Sequence, residues 1–219
     1  MTPVPDSFHT LAAPSTGTFK DRGSKFFAYA YPCTSEEEAM ARVEALRKEH
    51  FKARHHCFAW RFGLDGLRFR ANDDGEPSGT AGKPILGQID SAGLTDVVVV
   101  VVRYFGGTLL GASGLIQAYR ESAADAIGQA EIIEKIVFEN IDLEANYAQV
   151  PDLINAIKKL QLETLEENYT DTGVQLTLGI RRGAFEEKLL GLKAQLWKTS
   201  PEEARTLDWP EGIGVTRVP

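Results

Sequence analysis

The chain has 219 residues, 43% hydrophobic and 9% aromatic, and 24 Lys and Arg against 31 Asp and Glu give a net charge of −7. Such a chain builds one large domain or two small ones around a sizeable core, and its acidic balance excludes a general nucleic-acid coat. No apolar run approaches the roughly 20 residues of a membrane span, so no membrane partner is expected. Cys33 and Cys57, the only cysteines, have neither zinc-ligand spacing nor a disulfide framework, which predicts a cytoplasmic setting. The opening Met-Thr-Pro-Val-Pro-Asp lacks the basic start and apolar core of a signal peptide.

Residues 1–18 read as a loose lead-in with a short edge strand near 8–11. The apolar and aromatic run 26–31 ends at Pro32 and predicts a strand. Thr34 with Glu37 three residues on makes a capping box, and Glu36 to Glu38 suit the positive end of the helix that follows. Residues 55–62 alternate, sending His56, Phe58, Trp60 and Phe62 to one face and His55, Cys57, Ala59 and Arg61 to the other. Leu64-Asp65-Gly66 turns the chain into a second strand at 67–71, closing a hairpin. A helix-like stretch at 85–91 precedes the six valines Val97 to Val102, a buried strand. A helix is then expected over 114–129, with Ser113 as its cap. Beyond a boundary near 130–134 come strand 136–145, a Pro151-started helix 151–161, strands 163–169 and 173–181, and helix 184–196. That β-α-β-β-α order is most of a ferredoxin-like unit, its last strand expected from the tail after Pro201. The expected domains are residues 1–131 and 132–200, followed by a C-terminal tail, 201–219.

Two loops concentrate the polar chemistry. Asp73 to Pro84 packs three acids, three glycines, two prolines, two hydroxyls and a lysine into twelve residues with no large apolar side chain. Such a loop buries no core, and its glycines permit close backbone approach. The second loop, Arg103-Tyr104-Phe105-Gly106-Gly107, leaves the valine strand; with Gly111 and Gly114 it can turn backbone N–H groups towards an anion or simply pack strand on helix. It matches neither a P-loop nor Gly-x-Gly-x-x-Gly. Arg103 follows six buried residues, so it must reach a rim, pair with Asp73, Asp74 or Glu76, or grip a ligand. The candidate ligand-binding residues are His55, Arg61, Asp74, Glu76, Ser78, Thr80, Lys83, Arg103, Tyr104, Gly106 and Gly107. Ser78 or Thr80 with His55 sketches a nucleophile and base, but no spacing makes the pair specific, and catalytic residues stay unassigned. His55 and His56 alternate faces, so only one can join an acidic metal site; no metal and no cofactor is expected.

At these residues the chain resembles a known family. Asp73 to Pro84 together with Val102-Arg103-Tyr104-Phe105-Gly106-Gly107 resembles the signature of the YigZ/IMPACT family, supported by Gly23-Ser24-Lys25-Phe26, the His55/His56 strand and residues 111–119. The match spans residues 18–128, and the last third is similar to the ferredoxin-like domain that bacterial YigZ-type members append. The resemblance implies a two-domain α+β protein. Its N-terminal α/β sandwich would hold a left-handed βαβ unit, shared with a ribosomal protein and the GHMP kinases. Its C-terminal ferredoxin-like domain would be similar to the last domain of elongation factor G. It also implies a link to translation, because eukaryotic members regulate translational control by engaging a stress-kinase activator. Where the family commonly carries lysine, arginine and glycine, this chain has Leu109, Gln117 and Ser113, a loss of two positive charges.

Three functions follow as expectations. The first is a cytoplasmic binding or regulatory protein linked to translation, using Arg61, Arg68, Arg70 and both loops to contact RNA, a ribosome or a ribosome-associated protein. The alternative is an enzyme acting on a small phosphorylated or peptide-like substrate between the loops, lined by His55, Glu76, Ser78, Thr80, Lys83 and Arg103. The third is a docking surface on the second domain, since Glu131 to Asp171 carries ten acids against three bases and suits a basic protein. Oligomeric state stays open between monomer and weak dimer.

Overall fold

The structure is a computed structural model that describes residues 6–218; residues 1–5, where the signal-peptide comparison and the start of the lead-in fall, lie outside the described residues. Residues 7–135 form one unit, and residue 6 with 136–218 forms another, each with a core of its own.

In the first unit the chain runs β1 (Ser7–Leu11), β2 (Ser15–Asp21), β3 (Ser24–Pro32), α1 (Glu36–Glu49), β4 (His55–Phe62), β5 (Arg68–Asn72), α2 (Gly82–Ser91), β6 (Val97–Tyr104), α3 (Gly111–Gly128) and β7 (Ile132–Ile136). Five strands make an antiparallel sheet in the order β2-β3-β6-β4-β5, and β1 pairs separately with β7. β3 and β4 both run antiparallel to β6 between them, so they are parallel to each other and α1 is the crossover that joins them. The lead-in is more ordered than its composition suggests. Residues 15–21 pair along their whole length with β3, which satisfies the backbone groups that a loose segment would leave to water.

The valine strand lies at the centre of this sheet. Val97, Val99 and Val101 pack with Ile85 and Ile89 of α2 and with Leu115, Tyr119 and Ala123 of α3. Val98, Val100 and Val102 pack with Ala39, Val43 and Leu46 of α1 and with Phe58, Trp60 and Phe62 of β4. All six are 0% exposed, because helices cover both faces of the sheet. Each buried valine is worth about 1.5 kcal/mol or more. α1 starts one residue later than the Thr34 cap predicts. Ser35 caps it, its Oγ accepting from Glu38 N at 3.2 Å, while Thr34 N donates to Glu38 Oε2 at 3.1 Å.

The second unit carries β8 (Phe138–Asn146), α4 (Val150–Leu160), β9 (Glu163–Tyr169), β10 (Gly173–Arg181), α5 (Phe185–Trp197), α6 (Pro201–Ala204) and β11 (Ile213–Arg217). Its sheet is antiparallel in the order β11-β8-β10-β9, a ferredoxin-like arrangement whose last strand comes from the tail after Pro201. Ile141 and Leu143 of β8 and Leu176, Leu178 and Ile180 of β10 pack against Leu153 and Ile157 of α4 and Phe185 and Leu192 of α5. Asp142, Glu144 and Gln175, which alternate with them, are exposed. The edge strand β9 is exposed along its whole length.

Candidate functional site

The loop between β5 and α2 is shaped by its acids. Asp73 accepts three backbone N–H groups, Gly79 at 2.8 Å, Ala81 at 3.0 Å and Gly82 at 2.8 Å, which wraps the loop onto the start of α2. Burial pushes the Asp73 carboxyl up, but these N–H donors outweigh it and hold the group below its ordinary range. Gly82 allows the wrap, since a Cβ there would lie 2.5 Å from Asn72 N. Asp74, at φ 42°, ties the loop to its surroundings instead. Its carboxylate accepts His56 N at 2.7 Å and pairs with Arg47 Nη2 at 2.7 Å, and its carbonyl lies 2.9 Å from His55 Nδ1.

Only Glu76 of the three acids meets Arg103. β6 carries Arg103 to the end of the valine run, between Phe26 of β3 and His55 of β4 across the sheet. Its Nη1 donates to Glu76 Oε1 at 2.6 Å, and the Tyr119 hydroxyl of α3 donates to the same oxygen at 2.7 Å. Arg103 and Glu76 are both buried, at 6% and 9% exposure. Cys57 Sγ stands 3.3 Å from the Tyr119 hydroxyl and 3.0 Å from the Asp73 carbonyl. Burial pushes the Tyr119 and Cys57 groups far up, with Glu76 adding to both, so each stays protonated and acts as a donor. The Arg103 guanidinium stacks against Phe26 at 5.5 Å and Phe105 at 5.6 Å.

Above this cluster opens a cavity of about 380 Å³, with Arg54, His55, Pro77, Phe105, Leu109 and Leu115 among its walls. α3 begins at its edge, earlier than expected. The helix starts at Gly111 after Leu110 with no side-chain cap, and Ser113 falls inside its first turn rather than before it. Gly111 takes φ 72°, which lets the chain turn straight into the helix.

The cavity gathers His55, Glu76 and Arg103 of the expected set and leaves the others elsewhere. Tyr104, one residue on from Arg103, points to the opposite sheet face and bonds His50 Nδ1 at 2.9 Å. Arg61 stands six residues along β4, roughly 20 Å away at strand rise, paired with Asp90 at 2.6 Å and the Gly66 carbonyl. Thr80 is buried with its hydroxyl donating to the Pro77 carbonyl at 2.6 Å, while Ser78 and Lys83 are exposed. Gly106 serves close approach, a Cβ there falling 1.9 Å from the Gly23 carbonyl carbon, and Gly107 turns the chain at φ 88°. Among the described residues no hydroxyl is bonded to His55, and no cluster of three His, Cys, Asp or Glu side chains stands ready for a metal. Sequence reasoning missed Tyr119 and Cys57. The available signal was a tyrosine on a buried helix face, whose hydroxyl must find a partner.

The residues of this cluster and cavity lie within a segment that resembles known proteins. The family model described as the Impact N-terminal domain matches residues 22–127. The IMPACT family member YigZ of Escherichia coli is 40% identical over 147 residues, 66% of this chain and 72% of its own. The Protein IMPACT homolog of Saccharomyces cerevisiae is 41% identical over 96 residues, 42% of this chain and 36% of its own. A crystal structure of a hypothetical protein is 30% identical, covers 98% of both chains and has a TM-score of 0.66.

Proposed function

The chain belongs to the IMPACT family, and on that premise we propose that it is a binding protein that regulates translation, seating a segment of a partner in the cavity between its two loops. The cavity carries this conclusion. Phe105 and Leu109, 50% and 82% exposed, stand at its mouth above the bonded Arg103–Glu76–Tyr119 floor. Large exposed apolar side chains around a cavity suit a partner that covers them. The polar floor favours binding over the enzyme alternative, because Tyr119 and Cys57 are held protonated and Thr80 is spent on a backbone carbonyl. The link to translation is the one that the family resemblance implies. A protein partner fits better than RNA, since Asp90 neutralises Arg61 and Glu36 neutralises Arg70. Free, buried Cys33 and Cys57 suit a reducing cytoplasm.

Co-sedimentation of the tagged protein with ribosomes at low and physiological salt, beside Leu109→Asp, tests this. The wild type is expected to sediment with ribosomes, and Leu109→Asp to stay in the supernatant with an unchanged Tm. Equal sedimentation of both would remove the cavity from the proposal. No sedimentation of either at both salts would remove the ribosome and move the enzyme alternative to the front.

A further inference from the structure

We propose that the cavity takes a monocarboxylate carrying a short apolar body. Glu76 occupies Nη1 of Arg103, which leaves the edge formed by Nε and Nη2, the fork that matches a planar carboxylate. Among the described residues Nε has no hydrogen-bond partner although it is sealed from water, an expensive state for a guanidinium donor. Of the two rings stacked on this group, Phe26 is fully buried and Phe105 is half exposed, so Phe105 is the one that swings aside to admit a ligand.

The same cavity receives the start of α3. Leu110, Gly111 and Ala112 line it, and no side chain caps the 18-residue helix, so its first N–H groups and its dipole favour an anion there. The remaining wall is apolar, from Pro77, Phe105, Leu109 and Leu115. A volume of about 380 Å³ lies near the lower end of small-ligand sites and suits a body the size of one aromatic side chain.

Glu76 sets the charge of the ligand. It shares the guanidinium, so one further negative charge can be met by Arg54 and the helix end, whereas a phosphate monoester of about −2 adds repulsion against Glu76. Two sources offer this chemistry: the C-terminus of a protein chain ending in an apolar residue, and a free aryl or alkyl carboxylic acid. The inference rests on the cavity being the binding site proposed above, but not on the ribosome.

The test is a titration of the ¹⁵N-labelled full chain with 3-phenylpropionate, 3-phenylpropanamide, phenyl phosphate, and acetyl-Gly-Gly-Phe with a free or an amidated C-terminus. Both carboxylates are expected to shift the amides of Phe105, Gly111 and Ala112, and to bind roughly tenfold or more tightly than their amides. Tighter binding of the peptide acid than of 3-phenylpropionate assigns the source to a chain terminus, and the reverse order assigns it to a small acid. Arg103→Lys keeps a cation beside Glu76 but removes the fork, so it is expected to abolish the preference for acid over amide. The amide comparison stands without that variant should it fail to fold. Equal affinity for acid and amide, tighter binding of phenyl phosphate, or no shift by either carboxylate at about 10 mM would overturn the proposal. Carboxylate binding without ribosome association would leave this inference standing and end the ribosomal one.

Discussion

The central strands of the two units differ at every second position. In β6, Val97 to Val102 are all sealed, with odd valines facing α2 and α3 and even ones facing α1. In β8, Ile141 and Leu143 are sealed while Asp142 and Glu144 between them meet water. Both strands sit inside antiparallel sheets, so the direction of pairing does not produce the difference. The number of covered faces does: a continuous apolar run records two and an alternating one records one. The buried Arg103 is the exception at the end of the doubly covered strand, and the candidate site is built there.

The sharpest way to break the comparison is a charge at neighbouring positions. Val99→Asp and Val100→Asp should each cost about 3–5 kcal/mol, enough to abolish cooperative urea unfolding of the first unit. In β8 the outcome should depend on parity, with Leu143→Asp comparably damaging and Glu144→Val within about 0.5 kcal/mol of wild type. A tolerated aspartate at either valine would end the two-faced account.

Ion pairs offer the next contrast. Arg103→Met strands the buried Glu76 and should cost about 3–5 kcal/mol, with partial recovery in the Glu76→Met/Arg103→Met double variant. Lys198→Met in the second unit removes an exposed pair with Asp152 and should cost under about 1 kcal/mol. Equal losses by chemical denaturation would contradict the burial difference.

Acid should act on the first unit, which holds all four histidines. Burial pushes the His56 imidazole below its ordinary range, and its Nε2 has no partner among the described residues. The unfolded chain therefore takes up a proton that the fold resists, and stability should fall as pH drops below about 6.5. Asp73 works in the same direction at lower pH, because its depressed folded value makes its contribution vanish as pH falls through that value. His56→Gln should flatten the slope near pH 6 in denaturation midpoints measured across pH. An unchanged slope would clear His56 of the effect.

Helix caps give the smallest difference. Ser35→Ala should cost about 1 kcal/mol, since it uncaps the 14-residue crossover α1. Ser200→Ala, on the four-residue α6, should shift Tm less.

Most of the architecture was legible because covered faces write themselves into periodicity. The parity of residues 55–62, the valine strand and the ferredoxin-like order all appear as expected. The site was legible only to the level of residue type. A buried arginine needs an acid, but which of Asp73, Asp74 and Glu76 supplies it depends on the loop wrap, where backbone N–H groups claim Asp73 and Arg47 claims Asp74. Arg61 shares its strand face with His55, yet parity carries no information on distance along the strand. Tyr119 fills the apolar face of α3 with its ring, and its hydroxyl does the bonding.

The pairing of β1 with β7 governs how the molecule can be dissected. A first unit cut at residue 131, the expected domain boundary, would lose β7 and bare the backbone edge of β1, inviting self-association. A fragment spanning 7–136 keeps that ladder closed and is the piece to express alone.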